Sequence, residues 1–346
     1  MKHRWVRWLP AVVVPAVIAV GAIAAPLAAG AADLPVRTPS DVLRLVASSG
    51  SQAFSGTVEQ TSSLGLPDLP KTSSSASDSS ATNTLELLLA DHTAKVWADG
   101  ATRQRVQVLD QLAERDVIRN GSDVWLYDSK GEKATHATLP EHAGASTAPD
   151  ASAMTPEQLA QRFLASVDPS TSVTLADNVT VAGRNAYDLV LKPRTDATLV
   201  GSVSIAVDGS TGVPLRVSVT ARGAGSPAFE AAFSSFSSDR PDPALFAFTP
   251  PPGASVSQPP SRGEESPRHS GEPKPTVTGD GWAAIVTLPA GSAPASVTSD
   301  PLFGQLTQPV AGGRALSSSL LSVLVTDDGR VLAGAVPVSA LQAAAR

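Results

Sequence analysis

The sequence predicts a mainly β, α+β fold built on one strongly curved antiparallel sheet. In the stretch 184–222, apolar and polar residues alternate at period two in three successive runs, which places one kind of side chain on each face of a sheet. Asp-Gly at 99–100 and Asn-Gly at 120–121 stand between further alternating runs and are strong hairpin signals. About eleven strands follow from this pattern, and so many antiparallel strands in one sheet curl strongly.

The amino-acid composition excludes several classes of function. The chain has 346 residues, 42% of them hydrophobic and only 4% aromatic, with a net charge of −6. An acidic chain without basic clusters gives no reason to expect a nucleic acid partner. The absence of cysteine removes disulfides, thiolate catalysis and cysteine-ligated metals together. Arginine far outnumbers lysine and alanine is abundant, which suits a high-GC bacterium.

The segment 1–31 has the layout of an export signal. Basic residues precede an apolar run, and Ala29-Gly30-Ala31 forms a small-residue cleavage site. The apolar run is also long enough to remain as an uncleaved anchor, since about 20 apolar residues span a bilayer. In both cases we expect the remaining chain to lie outside the cytoplasm, in the cell envelope or secreted.

Two amphipathic helices are predicted. The first starts at Thr38-Pro39, with Thr38 as N-cap and Asp41 facing the positive helix end, and covers about 39–49. The second covers about 156–167, and Thr155 with Gln158 forms its capping box. Leu159 and Phe163 lie on the apolar side of this second helix.

The strands group into a large domain at 33–253. A polar segment at 64–83 is predicted to be a loop, and the runs 85–91 and 171–183 are each predicted to be one strand. Residues 254–278, rich in proline and serine, are predicted to be a linker. Beyond it, 279–346 is predicted to be a small strand–strand–helix domain.

Catalytic and metal-binding motifs are not found. The sequence contains no G-x-S-x-G or phosphate-binding glycine loop, and its five histidines show no metal-ligand spacing. The acid pairs Asp327-Asp328 and Asp123…Asp128 lie at hairpin ends, where turn chemistry accounts for them. We therefore expect no enzyme activity, no cofactor and no metal.

The concave face of the curved sheet is the candidate ligand site. Its helices either complete a filled core or form a lid over an apolar cavity that holds acyl chains, and the residues leave both readings open. The candidate cavity residues are Leu189, Leu191, Val203, Ile205, Val217 and Val219 on the strands, with Leu159 and Phe163 on the second helix.

The chain resembles the LolA/RseB-type family of exported lipid- and lipoprotein-handling proteins, which includes the outer-membrane lipoprotein carrier and the sigma-E regulatory protein RseB. The resemblance covers about 33–253 and rests on strand patterns with turn glycines. These are FSGTV (54–58), DVWLYDS (123–129), TPEQLAQRFL (155–164), GRNAYDLVLKP (183–193), VSIAVDGSTGVPLRV (203–217) and LFAFTPPPG (245–253).

This resemblance implies an unclosed β half-barrel with helices plugging its concave face. It implies a carrier that holds lipid or lipoprotein acyl chains in an apolar cavity. The alternative that it implies is an RseB-like envelope-stress regulator that binds an anti-sigma factor, in which the C-terminal unit docks on a membrane protein. For the arginine that locks the carrier lid, Arg103 and Arg105 are the nearest candidates.

Overall fold

The structure is a computed structural model and describes residues 34–66, 91–109, 114–139, 155–165, 167, 169–258, 275–293, 298 and 301–346. The predicted export signal at 1–31, the strand at 85–90 and most of the loop at 64–83 lie outside these residues. Within the described ranges, no helix is long and apolar enough to cross a membrane.

The larger sheet has thirteen strands in the order β13-β6-β5-β4-β3-β2-β1-β12-β11-β10-β9-β7, with β8 paired to β9. All pairs are antiparallel except β13 with β6. Their bounds are β1 Ala53–Ser62, β2 His92–Asp99, β3 Arg103–Leu109, β4 Glu114–Asn120, β5 Asp123–Asp128, β6 Lys133–Thr138, β7 Thr171–Leu175, β8 Val179–Val181, β9 Arg184–Pro193, β10 Val200–Asp208, β11 Pro214–Ala221, β12 Pro227–Ser237 and β13 Ser255–Ser257.

Two helices cover the apolar face of this open sheet: α1 (Pro39–Ser48) and α2 (Pro156–Ala165). Thr38 and Asp41 form the capping box of α1, and Asp41 is its N3 residue. At α2 the amide of Gln158 donates to Thr155 Oγ1 at 3.2 Å, and the amide of Thr155 donates to Gln158 Oε1 at 3.0 Å. Helix α1 packs against β7 and β9, and α2 packs against β11 and β12. The predicted mainly β fold, with helices against one open sheet, is confirmed.

Sheet curvature is concentrated at irregular points. Val58 pairs with Phe233 while Thr57 pairs with Ser235, so β12 carries a bulge between them. Gly56 lies beside this bulge, and a Cβ there would stand 2.2 Å from the Ser235 carbonyl oxygen. The prediction of one strand over 171–183 is wrong: the chain leaves the extended path at 176–178, so β7 and β8 pair separately with β9.

A strap formed by residues 238–258 crosses the opposite, convex face of the sheet. It begins after β12, makes a 3-10 turn at Pro243–Phe246 against β3 and β4, and ends as β13 beside β6. The start of the predicted linker at 254–278 is therefore a strand, because it supplies a partner for the β6 edge.

The C-terminal unit is larger than the predicted strand–strand–helix. Six strands in the order β14-β15-β19-β18-β17-β16 form a second sheet. The strands β14, β16 and β17 were not predicted, because each spans only three to five residues and its alternation is too short to detect. Their bounds, with two helices, are β14 Thr276–Thr278, β15 Ile285–Leu288, α3 Pro301–Leu306, β16 Gln308–Val310, β17 Gly313–Ser317, β18 Ser322–Thr326, β19 Val331–Gly334 and α4 Val338–Ala344.

The C-terminal unit packs on the half-barrel. The Leu199 amide donates to the Ala335 carbonyl at 2.7 Å, and Thr198 Oγ1 donates to the same oxygen at 2.7 Å. Trp282, Leu320 and Ala335 also contact the hydrophobic core of the half-barrel. The C-terminal unit thus contacts the half-barrel through hydrogen bonds to the Ala335 carbonyl and through apolar contacts.

Candidate functional site

The six strand residues predicted to line a cavity lie together on one face of β9–β11. Ile205 pairs with both Leu189 and Val217, which makes one row across the sheet. A parallel row consists of Leu191, Val203 and Val219. We name this surface the wall; five of its six residues are 0% exposed and Val219 is 5% exposed.

In the closed structure, the wall is part of a packed core. Leu159 and Ala160 of α2 are 6% and 0% exposed and join the same apolar cluster, as do Val42 and Val46 of α1. The predicted wall residues and Leu159 are thus brought together as predicted, but as packed side chains. Their role in lipid binding stays a prediction.

Phe163, the other predicted helix residue, lies further along α2 and is half-buried. Its ring stacks on Trp282 with centroids 6.3 Å apart, and Trp282 Nε1 donates to Thr171 Oγ1 at 2.8 Å. The end of α2 is therefore in contact with the C-terminal unit.

A small crevice lies under the first turn of α2. It encloses about 20 Å³, close to the 10–15 Å³ that one water needs. Its polar walls come from α2 and from Gln104 of β3, and its apolar walls come from β1, β2 and β3. The lining residues are Phe54, Val96, Trp97, Ala98, Gln104, Val106, Thr155, Glu157, Gln158 and Gln161.

Glu157 is the unusual member of the crevice. It is 8% exposed, and its Oε1 accepts one hydrogen bond, from Gln161 Nε2 at 3.3 Å. Among the residues that the structure describes, none makes an ion pair with it. Burial away from water raises the pKa of the Glu157 carboxyl to about 7, because desolvation penalises the charged form.

Sequence reasoning missed Glu157 and Gln104. An acidic residue in the first turn of a helix usually faces solvent and favours the helix dipole, so Glu157 gave no signal of burial. Gln104 lies two residues before Val106 and four before Val108, so all three side chains are on the same face of β3. A polar residue on this apolar face was the available sequence signal for a site.

The suggested lid-locking arginines are wrong, because both lie on the convex side. Arg103 pairs with Asp99 at 2.5 Å, and Arg105 pairs with Asp116 at 2.6 Å. Arg105 also donates to the carbonyl of Leu245 in the strap, at 3.3 Å. The buried arginine on the concave side is Arg119, 3% exposed and register partner of Gln104.

Within the described residues, no group of three or more His, Cys, Asp or Glu side chains could hold a metal ion. The concave face carries Glu157 with neighbouring glutamine side chains and, on β4, Arg119, and this arrangement is suited to hydrogen bonding and charge pairing.

No protein-family model matches the chain, and no curated protein sequence matches it. Among solved structures, the complex of MucA and MucB from Pseudomonas aeruginosa is similar over 88% of this chain and 96% of the other, with 20% identity and a TM-score of 0.46.

Two further solved structures are similar to the half-barrel. An uncharacterised conserved protein from Thermus thermophilus has 14% identity and a TM-score of 0.37, covering 64% of this chain and 98% of that one. A LolA superfamily protein from Nitrosomonas europaea has 10% identity and a TM-score of 0.26, covering 62% and 99%. The likeness to each of these structures is one of fold.

Proposed function

We propose that this chain is a non-catalytic, exported binding protein that holds an acyl chain of a lipid or lipoprotein between the wall and α2. The observation that supports it is the construction of the concave face. Two continuous aliphatic rows on β9–β11 are covered by two ten-residue helices, and the second of them, α2, inserts Leu159 and Ala160.

The closed structure has to open before it takes such a ligand. Pockets for drug-sized ligands hold roughly 300–1,000 Å³, whereas the crevice under the first turn of α2 encloses about 20 Å³. Displacement of α2 would expose aliphatic surface of the wall, since α2 contributes Leu159 and Ala160 directly to the core.

The free energy of burying an acyl chain on the wall is larger than that of burying the leucine side chain of α2. Each buried methylene contributes about 0.8 kcal/mol, so a twelve-carbon chain contributes roughly 9 kcal/mol before its own ordering costs. A fully buried leucine contributes about 1.5–3 kcal/mol. An acyl chain on the wall therefore offsets the loss of the contacts that Leu159 and its neighbours make.

The test is a titration of the full chain, without its predicted signal, with a fluorescent acyl probe followed by displacement with a lipopeptide. We expect saturable binding. Leu159→Ala weakens closure by α2 and leaves the wall intact, so its apparent affinity rises about tenfold or more as the open state becomes populated.

Leu341→Ala is the matched control, because Leu341 is 0% exposed in α4 of the C-terminal unit and contacts a separate core. It should lower stability without changing acyl affinity. Folded wild-type protein that binds no acyl probe would overturn the proposal and favour a permanently filled core.

An RseB-like regulator is the second candidate, and the attachment of the C-terminal unit favours it. A carrier needs a cavity and a lid, whereas here Trp282 connects the end of α2 to a second sheet. Lifting α2 would alter that contact and could signal to an anti-sigma factor held by the C-terminal unit. Lipopeptide-dependent release of a purified anti-sigma ectodomain would support this role, and equal binding with and without lipopeptide would contradict it.

A further inference from the structure

The crevice under α2 is lined by a buried carboxyl that makes no ion pair with any residue in the described part of the chain. Glu157 is 8% exposed and accepts a single 3.3 Å hydrogen bond from Gln161. Gln104 and Gln161 line the same space. Gln158 is engaged in the capping box with Thr155.

Charged residues on the surrounding elements are directed elsewhere. On β2 and β3, Asp99 pairs with Arg103, and Arg105 pairs with Asp116 of β4; Lys95 alternates with the crevice residue Val96 and so lies on the other face. On β11 and β12, Arg216 lies 3.9 Å from Asp188, and Glu230 is cross-strand from Ser218 on the convex face.

Two arginines remain near the crevice, and neither neutralises Glu157. Arg119 of β4 donates from Nε to the carbonyl of Gly121 at 3.1 Å. Arg162 of α2 itself is exposed. Burial away from water is the cause of the raised pKa of the Glu157 carboxyl.

A buried carboxylate of this kind selects the charge of its ligand. An entering cation pairs with the carboxylate in a poorly solvated site, whereas a second anion would be repelled. The N-terminus of α2 carries only about half of a positive charge, so the full negative charge of ionised Glu157 determines the sign.

The size of the crevice selects the kind of cation. About 20 Å³ holds one group the size of a water. A primary ammonium has three N–H donors, and three of the lining residues, Glu157, Gln104 and Gln161, have side chains that carry acceptor oxygens. A trimethylammonium group has no donor and is too large.

We propose that this crevice is a binding site for a primary ammonium group, so that the protein selects amine-bearing acyl ligands over acidic and quaternary ammonium ones. The inference rests on the proposed acyl-binding function. Helix α2 covers both regions, because Glu157 lines the crevice while Leu159 and Ala160 join the core beside the wall. An acyl chain that enters between the wall and α2 while the first turn of α2 stays on β1–β3 would bring its headgroup to Glu157.

A pH dependence follows. An alkylammonium stays charged below pH 9, as a lysine does, but it pairs only with ionised Glu157. With the free carboxyl at a pKa of about 7, the ionised fraction falls about twentyfold between pH 7.5 and 5.5. The affinity for an acyl amine should fall by about the same factor.

The test uses four twelve-carbon ligands below their micelle concentrations: dodecylamine, dodecanol, dodecanoate and dodecyltrimethylammonium. Each displaces a neutral fluorescent acyl probe from the full chain at pH 5.5 and 7.5. At pH 7.5 we expect dodecylamine to bind about tenfold or more tightly than the other three. Glu157→Gln, which keeps the shape of the side chain, should remove both the preference and the pH dependence. Glu230→Gln on the convex face should retain both.

The outcomes separate the two proposals. Equal displacement by all four ligands, or a preference that persists in Glu157→Gln, overturns the ammonium site while leaving acyl binding intact. If the protein is folded but binds no probe, so that there is nothing to displace, the acyl-binding function and the ammonium site are both overturned.

Discussion

The wall and the crevice lie under the same helix but are built differently. The wall consists of aliphatic side chains in two registered rows, with exposures of 0–5%. The crevice combines aromatic and small apolar residues with Glu157 and three glutamines. Helix α2 is therefore held at one point by hydrophobic packing and at another by polar groups that include one titratable carboxyl.

This difference indicates that the wall stabilises the fold and that the crevice controls how its helix responds to pH. Hydrophobic packing on the wall does not respond to pH, whereas the environment of Glu157 does. The wall should therefore tolerate no charge, while changes in the crevice should alter closure and ligand choice with a smaller effect on folding.

The largest expected effect is from a charge on the wall. Ile205→Asp should lower the free energy of unfolding by about 4 kcal/mol or more, because it buries an unpaired carboxylate among aliphatic side chains. Urea unfolding measures the change. Ser202→Asp, at a half-buried position of the same strand on the opposite face, is the control and should cost under about 1 kcal/mol. Equal losses in both variants would show that the wall is not a packed core.

The next effect concerns Gly56, on the strand that joins the two regions. A Cβ at this position would stand 2.2 Å from the Ser235 carbonyl oxygen and 2.7 Å from the Phe233 ring. Gly56→Ala should therefore cost about 3 kcal/mol through overpacking at the bulge. Gly50→Ala is the control, since a Cβ there meets nothing within 4 Å. If thermal denaturation shows the two variants to be equally stable, the bulge is not as tight as described.

A pH effect of about 2–3 kcal/mol between pH 5 and pH 8 is expected from Glu157. Its pKa is about 7 in the folded chain against an ordinary value of 4.5, and each unit corresponds to about 1.4 kcal/mol. Because the folded state holds this proton more tightly, the contribution is complete below about pH 4.5 and is lost as the pH rises to 7.

Urea unfolding of wild type and Glu157→Gln at pH 5 and pH 8 isolates this contribution, since other titrating groups are common to both proteins. Wild type should lose about 2–3 kcal/mol more than the variant over this range. Identical pH profiles would mean that Glu157 is not buried in solution.

The smallest effect is expected where α2 meets the C-terminal unit. Trp282→Phe keeps a ring against Phe163 but removes the 2.8 Å hydrogen bond to Thr171. A loss of about 1 kcal/mol is typical of one such bond. Hydrogen exchange should be faster near Thr171 and unchanged in β2–β4, and an unchanged rate near Thr171 would remove the proposed coupling.

Much of the large sheet was predictable from the sequence. Period-two alternation and the turn pairs at 99–100 and 120–121 located β2–β5 and β9–β11, and the Thr38 and Thr155 boxes located both helix starts. These signals are local in the sequence, so they can be recognised without knowledge of tertiary contacts.

The missed features depend on contacts between distant residues. Arg105 alternates like any strand residue, and only the strap carbonyl of Leu245 shows that it is on the convex side. The burial of Glu157 depends on how closely α2 lies against Gln104 and Val96. The short strands of the C-terminal sheet gain their stability from neighbours, so their own sequences carry little signal.

We expect α2 to move away from the wall when an acyl chain binds. Hydrogen–deuterium exchange of the full chain, with and without a saturating lipopeptide, measures this movement. Exchange in 156–165 should become faster on ligand binding, with β9–β11 equally or more protected. Unchanged exchange in 156–165 at saturating ligand would show that α2 stays in place and would overturn the proposed mode of acyl binding.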